Sequence, residues 1–350
     1  MKPLLGLSLV LIAGALALPP HQPSPSDPYY WSDQGIRFAR SGDIPRARAA
    51  YWRAMELSAE VPQIWLRDAD FHFDLGENEA ALRSAARVLR TVPDYDGVLF
   101  SYFDQAELPT PLVLDSLARH RRSARAYAQH LIASGRLVPA SETWRRLSRE
   151  GHLDDALASS FIDLLLRHQR YDQAARSWAA YLDTRRRDYP ARNLLFNGGF
   201  EQEPSGCALD WRLSRSEFVK ADFDPDTSHS GSRALRLRFP GTTNLDFQHI
   251  AQVIPVDSGR YHLTAWVKTD GITTNEGPRI LIYDAENASR LSIQTDPFSG
   301  TQSWKLSHTE FVVSPSTRLL SVRLVRRPSA KFDNKIEGTV WFDDIALTKP

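Results

Sequence analysis

Cysteine is nearly absent from this chain: Cys207 stands alone among 350 residues. One thiol excludes an intramolecular disulfide and any metal site built from several cysteines, and it is compatible with any compartment. An excess of charge is also lacking, with 43 Lys and Arg against 42 Asp and Glu and a formal net charge of +1. Binding a phosphate backbone as the main activity needs a concentrated basic surplus, so nucleic acid is not expected as a partner. Lysine is missing between Lys2 and Lys220, and arginine is the only cation of that stretch; a coding bias accounts for it. Familiar catalytic signatures are missing too. There is no GxSxG, P-loop, GxGxxG or HExxH motif and no cluster of histidines. The adjacent carboxylates Asp154-Asp155 and Asp343-Asp344 point to different sides of a helix or strand. A glycosidase needs two carboxyls facing each other across a cleft. No enzyme is expected.

What is present begins with the N-terminus. Lys2 precedes an uncharged, mostly apolar run over residues 4–18, which ends in Ala15-Leu16-Ala17 and is followed by Pro19-Pro20. This is the pattern of a secretory signal peptide over residues 1–20, with cleavage expected after Ala17. The run is short against the ~20 residues of a spanning helix, although an uncleaved N-terminal anchor is the alternative. No cysteine follows it, so it is not a lipoprotein signal. Either reading makes the protein exported, in the periplasm or the cell envelope. No later run is long and apolar enough to span a bilayer.

The next part repeats. Trp31 and Trp65, Gly42 and Gly76, and Ala47 and Ala81 are each 34 residues apart. Ala140 and Ala174, and Trp144 and Trp178, keep the same spacing, with Gly135 in the position of Gly42 and Gln169 in that glycine's place in the last copy. The small residues let paired helices approach closely, and the glycines suit the turn between them. Between Pro93 and about Arg121 the register is lost, and an irregular helix pair or degenerate repeat is expected. The pattern resembles the tetratricopeptide repeat, which implies a helical solenoid over residues 28–190 with a concave surface for a protein partner.

After Asn197 the period changes to two. "SRALRLRF", "YHLTAWVK", "RLLSVRLVR" and "GTVWFDDIAL" read as strands, and 194–196 as the first strand before a tight bend at Asn197-Gly198-Gly199. Asp257-Ser258-Gly259, Asp270-Gly271 and 297–300 supply turn signals. Phe200 is expected to turn inward. The fold class is therefore multidomain α + β: an N-terminal α-helical solenoid followed by a C-terminal antiparallel β-sandwich, or jelly roll, over 194–350.

The order of "NGGFE" (197–201), "DW" (210–211), "HSGSRALRL" (229–237), "IAQVIPVDSGRYHLTAWVKTDG" (250–271) and "TVWFDDIAL" (339–347) resembles carbohydrate-binding modules of families 4, 9 and 22, of the galactose-binding-like superfamily. The resemblance covers 197–347. It implies a structural calcium ion where the first and last strands meet, with Glu201 and Asp343 or Asp344 giving carboxylates and the backbone near Ser230 and Gly231 completing the shell. The alternative is that Glu201 caps a turn and an aspartate bonds backbone. Sugars stack their apolar faces on aromatic planes and bond their hydroxyls to polar side chains. Trp266, Tyr283, Gln248, Gln294 and Arg323 are the candidates on the outward-alternating positions. Trp211, Trp304 and Trp341 are expected to pack at or beside the core. The stretch "RLVRRPSAKFDNKIEG" is expected to be a solvated loop. The expected function is a non-catalytic exported adaptor: the solenoid holds a protein partner, and the sandwich holds a saccharide of an envelope or exported polysaccharide. The alternatives are a scaffold whose sandwich mediates protein–protein contacts and an accessory module of a glycoside-hydrolase system. A polar groove floored by Trp266 and Tyr283 would favour the saccharide.

Overall fold

The computed structural model describes residues 24–58, 61–117, 120–332 and 334–350. The expected leader over 1–20 lies outside the described residues, as does Asp333. Among the described residues there are ten α-helices followed by ten strands, and no helix is long and apolar enough to cross a membrane. The chain divides into two compact units, Met1–His152 and Leu153–Pro350.

The first unit holds four helix pairs: α1 (Pro28–Arg40) with α2 (Ile44–Leu57), α3 (Pro62–Asp74) with α4 (Asn78–Thr91), α5 (Asp96–Gln105) with α6 (Thr110–Leu117), and α7 (Arg121–Ala133) with α8 (Leu137–Arg149). A fifth pair, α9 (Asp155–Arg167) and α10 (Tyr171–Leu182), belongs to the second unit. Aspartates start several of these helices: Asp27, Asp43 and Asp154 each accept a backbone N–H of the first turn.

Within every pair the turn has one solution. A residue in the left-handed region stands two places after the first helix: Gly42, Gly76, Glu107, Gly135 and Gln169, with φ of 79°, 73°, 52°, 70° and 56°. The next residue donates its N–H back across the helix end, as in Asp43 to Phe38 O, Leu108 to Phe103 O and Arg170 to Leu165 O. The 34-residue spacing is the recurrence of this turn. The register is lost in the middle because the third pair has short helices of 10 and 8 residues. Close approach inside a pair is equally specific: a Cβ on Gly35 would lie 2.8 Å from Tyr51 Cε2. Tyr51 in turn stacks on Phe71 at 4.8 Å, joining the first pair to the second. Trp144 and Trp178 are buried, whereas Trp31 and Trp65 are half-buried.

In the second unit two five-stranded antiparallel sheets face each other. The first has the order β1-β4-β9-β6-β7: β1 (Arg212–Leu213), β4 (Phe247–Pro255), β9 (Leu319–Arg326), β6 (Arg279–Asp284) and β7 (Ser292–Gln294). The second has the order β2-β3-β10-β5-β8: β2 (Lys220–Asp224), β3 (Ala234–Pro240), β10 (Glu337–Thr348), β5 (Gly259–Ile272) and β8 (Gly300–Val313). Their inner faces share one core that includes Phe200, Trp211, Leu235, Ile250, Leu263, Val322 and Phe342.

Three local expectations are corrected. Residues 194–196 form no strand, because side chains take the bonds a partner strand would make. The Gln252 amide accepts from Phe196 N and donates to Phe196 O, and Asn193 Oδ1 accepts from Leu347 N. Asp270-Gly271 is not a turn between strands but a kink inside β5, with Gly271 at φ 62°. Arg326 is fully buried at the end of β9, where its guanidinium donates to Asn244 Oδ1 and to the carbonyls of Glu276, Leu245 and Asn334. The residues after it are largely exposed as expected, among them Arg327, Pro328, Lys331 and Lys335.

The fifth helix pair is fastened to the first sheet's surroundings. Asp163 pairs with Arg212 at 2.7 Å, Tyr171 Oη donates to Glu286 at 2.6 Å, and Asp172 pairs with Arg318 at 3.1 Å. Such exposed pairs are each worth about 0–1 kcal/mol. The larger contribution is apolar: Trp178, Leu182, Tyr189 and Phe196 are all buried, and Trp178 meets Phe196 edge-on at 5.9 Å.

Candidate functional site

The inward positions of β8 change character along the strand. At one end Val313 and Phe311 are buried in the core. Further along, the positions opposite Leu263, Ala265 and Val267 of β5 are Thr309, Ser307 and Lys305. Polar side chains therefore stand where the sandwich would otherwise close. The facing sheet ends there in β7, only three residues long. The result is a cleft of about 420 Å³, walled by Gln294, residues 295–298 and the polar half of β8, with Val267 and Phe298 as its apolar lining. That volume lies within the range of small-ligand sites.

One atom in the cleft lacks a partner. Thr269 is 2% exposed, and its Oγ1 is buried without a hydrogen bond. Leaving a buried hydroxyl unpaired costs about 1–3 kcal/mol. Gln294, Gln302, Asp296 and Ser307 line the same space and offer both donors and acceptors.

The five saccharide candidates read from the sequence, taken residue by residue, do not share a site. Gln294 lines the cleft. Tyr283 and Arg323 lie together on the outer face of the first sheet, the guanidinium 5.6 Å from the ring centroid. Gln248, exposed at the start of β4, bonds Asp246. Trp266 is on the outer face of the second sheet, stacked on His229 and near Trp304. Trp266 and Tyr283 thus belong to different sheets and cannot floor one groove. Alternation tells which residues point away from the core but not which sheet carries them. Of the other tryptophans, Trp211 is in the core, while Trp341 covers the outer face with its Nε1 donating to Asp224.

The residues expected around calcium do meet, as a hydrogen-bonded clasp between the 229–233 turn and the last strand. Glu201 Oε1 accepts from Ser232 N and Oε2 from Ser232 Oγ. Asp343 Oδ2 accepts from His229 N and Ser230 N, and its Oδ1 from Asp344 N. Asp344 bonds Ser230 Oγ and His229 Nδ1. Gly231, at φ 64°, lies directly against the Glu201 carboxylate. Burial opposes ionisation of Glu201, but the Ser232 and Arg233 donors outweigh it and hold the carboxyl below its ordinary value. For Asp343 burial wins and its value is raised. Each oxygen of the three carboxylates already has a polar partner within the clasp. Among the described residues no group of three or more His, Cys, Asp or Glu is placed to hold a metal ion. In this arrangement the three carboxylates act as hydrogen-bond acceptors that hold the 229–233 turn.

The sandwich resembles carbohydrate-binding modules in fold. A family 16 carbohydrate-binding module matches 45% of this chain over 100% of its own, at 20% identity and TM-score 0.32. A family 61 module solved with β-1,4-galactotriose matches 45% over 99%, at 19% identity and TM-score 0.31. The enzymatically active domain of tailspike protein 4 from bacteriophage CBA120 matches 46% of this chain at 17% identity and TM-score 0.35, and the match spans 22% of that tailspike chain. No family model matches the sequence, and no curated protein matches it. The likeness is one of fold alone.

Sequence reasoning missed Thr269, Gln302, Lys305 and Ser307. The signal was present in "GTQSWKLSHTEFVV", where Lys305, Ser307 and Thr309 alternate in phase with Phe311 and Val313. Polar residues in the core phase of a strand mark where its sheet stops covering the core.

In the first unit, the helix pairs enclose a groove of about 1100 Å³ lined by Arg48, Trp65, Asp68, His72, Glu77 and Arg87 among others. Arg87 lies over Trp65 at 4.2 Å. Glu77 bonds Arg48 and His72.

Proposed function

We propose that the second unit is a non-catalytic saccharide-binding module whose ligand lies in the cleft beside β8. The observation that carries this reading is the unpartnered, buried Thr269 hydroxyl in a polar cleft with an apolar lining. A sugar ring packs its C–H face against Phe298, and its hydroxyls pair with Thr269, Gln294, Gln302 and Ser307. Among the described residues Asp296 is the one carboxylate residue lining the cleft, which supports binding without glycoside cleavage, since cleavage uses two. The first unit's charged groove holds a protein partner in the same reading, and the protein acts outside the cytoplasmic membrane.

A second reading has its own observation. β8 is an edge strand of 14 residues, with Leu306 and Val312 exposed at 44% and 64%. A strand of that kind can pair with another protein, so the sandwich would serve as a scaffold. A glycan array probed with the full chain, before and after addition of a soluble competing oligosaccharide, separates the two. Competable binding to at least one glycan supports the saccharide, and a blank array removes it.

A further inference from the structure

A second groove, of about 700 Å³, lies between the start of α10 and the loops of the sandwich. Four arginines line it, Arg170, Arg176, Arg290 and Arg318, against two acids, Asp172 and Glu286. The acids are committed. Glu286 accepts from Tyr171 Oη and Gln169 Nε2 at 2.6 and 3.3 Å, and Asp172 faces Arg318. Arg290 stands 3.0 Å from Asp284 and 3.6 Å from Glu286, and Arg318 also lies 3.7 Å from Asp257. Arg170 and Arg176 are exposed and have no acidic partner among the described residues. Arg318 keeps a buried Nε without a partner. The groove therefore presents two guanidinium groups, those of Arg170 and Arg176, that its carboxylates leave unpaired.

The arrangement is held before any ligand arrives. Asp284 is fully buried and accepts from Thr317 Oγ1, Glu286 N and Asn287 N. These bonds fix the turn that carries Glu286 and Arg290. A planar guanidinium fork matches a carboxylate in bidentate geometry. The space is large for a lone small anion. Arg290 and Gln294 of the cleft are four residues apart, at most about 14 Å of extended chain, so one extended ligand reaches both places.

We propose that this groove binds the carboxylates of an acidic saccharide, one whose chain continues into the cleft beside β8. The ligand class rests on the saccharide reading of that cleft; the arginine surplus does not. The test uses the full chain and calorimetric titration with oligogalacturonate and alginate oligomers, each beside its carboxyl-reduced neutral form, and with inorganic phosphate. Variants are Arg170→Gln/Arg176→Gln together and, separately, Thr269→Val, with thermal unfolding as the check on folding. The expected result is that an acidic oligomer binds at least about tenfold more tightly than its reduced form, that the double arginine variant abolishes this difference, and that added salt weakens it. Equal affinity for acidic and reduced forms, or an undiminished difference in the folded double variant, overturns the groove while leaving the cleft reading intact. A difference that needs the arginines while Thr269→Val changes nothing supports the groove and counts against the cleft. Phosphate binding as tightly as the oligomer, or no acidic oligomer binding at all, overturns the saccharide assignment of the groove.

Discussion

Trp266 lies flat on His229, with ring centroids 3.8 Å apart and planes 13° from parallel. The face a sugar would use on this tryptophan is occupied by the imidazole, which Asp344 holds at 2.7 Å. Trp266 is thus part of the packing that fastens the 229–233 turn to the second sheet. Trp266→Ala is expected to cost about 1–3 kcal/mol in urea unfolding and to leave glycan affinity within about twofold. A large loss of affinity with unchanged stability would move the ligand to the outer face of the second sheet.

The clasp around Glu201 makes a second prediction. Because Ser232 and Arg233 donors already hold the Glu201 carboxylate, the fold is expected to be independent of added calcium. The melting temperature is expected to be the same in millimolar calcium and in chelator. Glu201→Gln is expected to destabilise by about 1–2 kcal/mol through loss of charge-assisted bonds. A calcium-dependent rise of several degrees that Glu201→Gln abolishes would show that the carboxylates open to receive an ion.

Arg326 is fully buried in the sandwich, and its donors satisfy a side-chain oxygen and three carbonyls. Burial lowers its pKa. Arg326→Met fills most of the volume but orphans those acceptors, and a loss of about 3–5 kcal/mol is expected. A loss below about 1 kcal/mol would mean that water reaches the carbonyls.

Glu77 gives the first unit a defined acid response. The hydrogen bond from Arg48, then that from His72, draws its carboxyl from 4.5 down to about 2. A depressed folded value means the unfolded chain binds the proton first as pH falls. The contribution is therefore complete above the unfolded value of 4.5 and is lost as pH drops toward the folded one. Urea midpoints of wild type and Glu77→Gln are expected to differ at pH 6 and to converge by about pH 2. A difference that does not change with pH would contradict this.

Much of the helical part is legible in the sequence because a left-handed turn residue and a close helix approach restrict which side chains fit, and both recur at Gly42 and Gly76. Gln169 is recognisable through its register. Glu107 is not, because it makes the same turn between helices too short to keep the period. The strands are legible from alternation, yet alternation is blind to sheet membership, which is why Trp266 and Tyr283 look like neighbours. Residues 194–196 read as a strand because their apolar pattern fits one, but Asn193 and Gln252 supply the bonds instead. The partners of Arg326 lie as far as 82 positions away in sequence, beyond any local signal. The cleft is hidden because Lys305, Ser307 and Thr309 look like an exposed strand until the facing sheet is seen to end at β7.

The most direct test of the central claim is the affinity of the full chain for a glycan identified on an array, compared with that of Thr269→Val and Gln302→Ala. Both variants are expected to fold, Thr269→Val with an equal or higher melting temperature, and to bind about 5–30-fold more weakly, the effect of losing ~1–2 kcal/mol of hydrogen bonding to the ligand. Wild-type affinity in both folded variants would contradict a saccharide site beside β8.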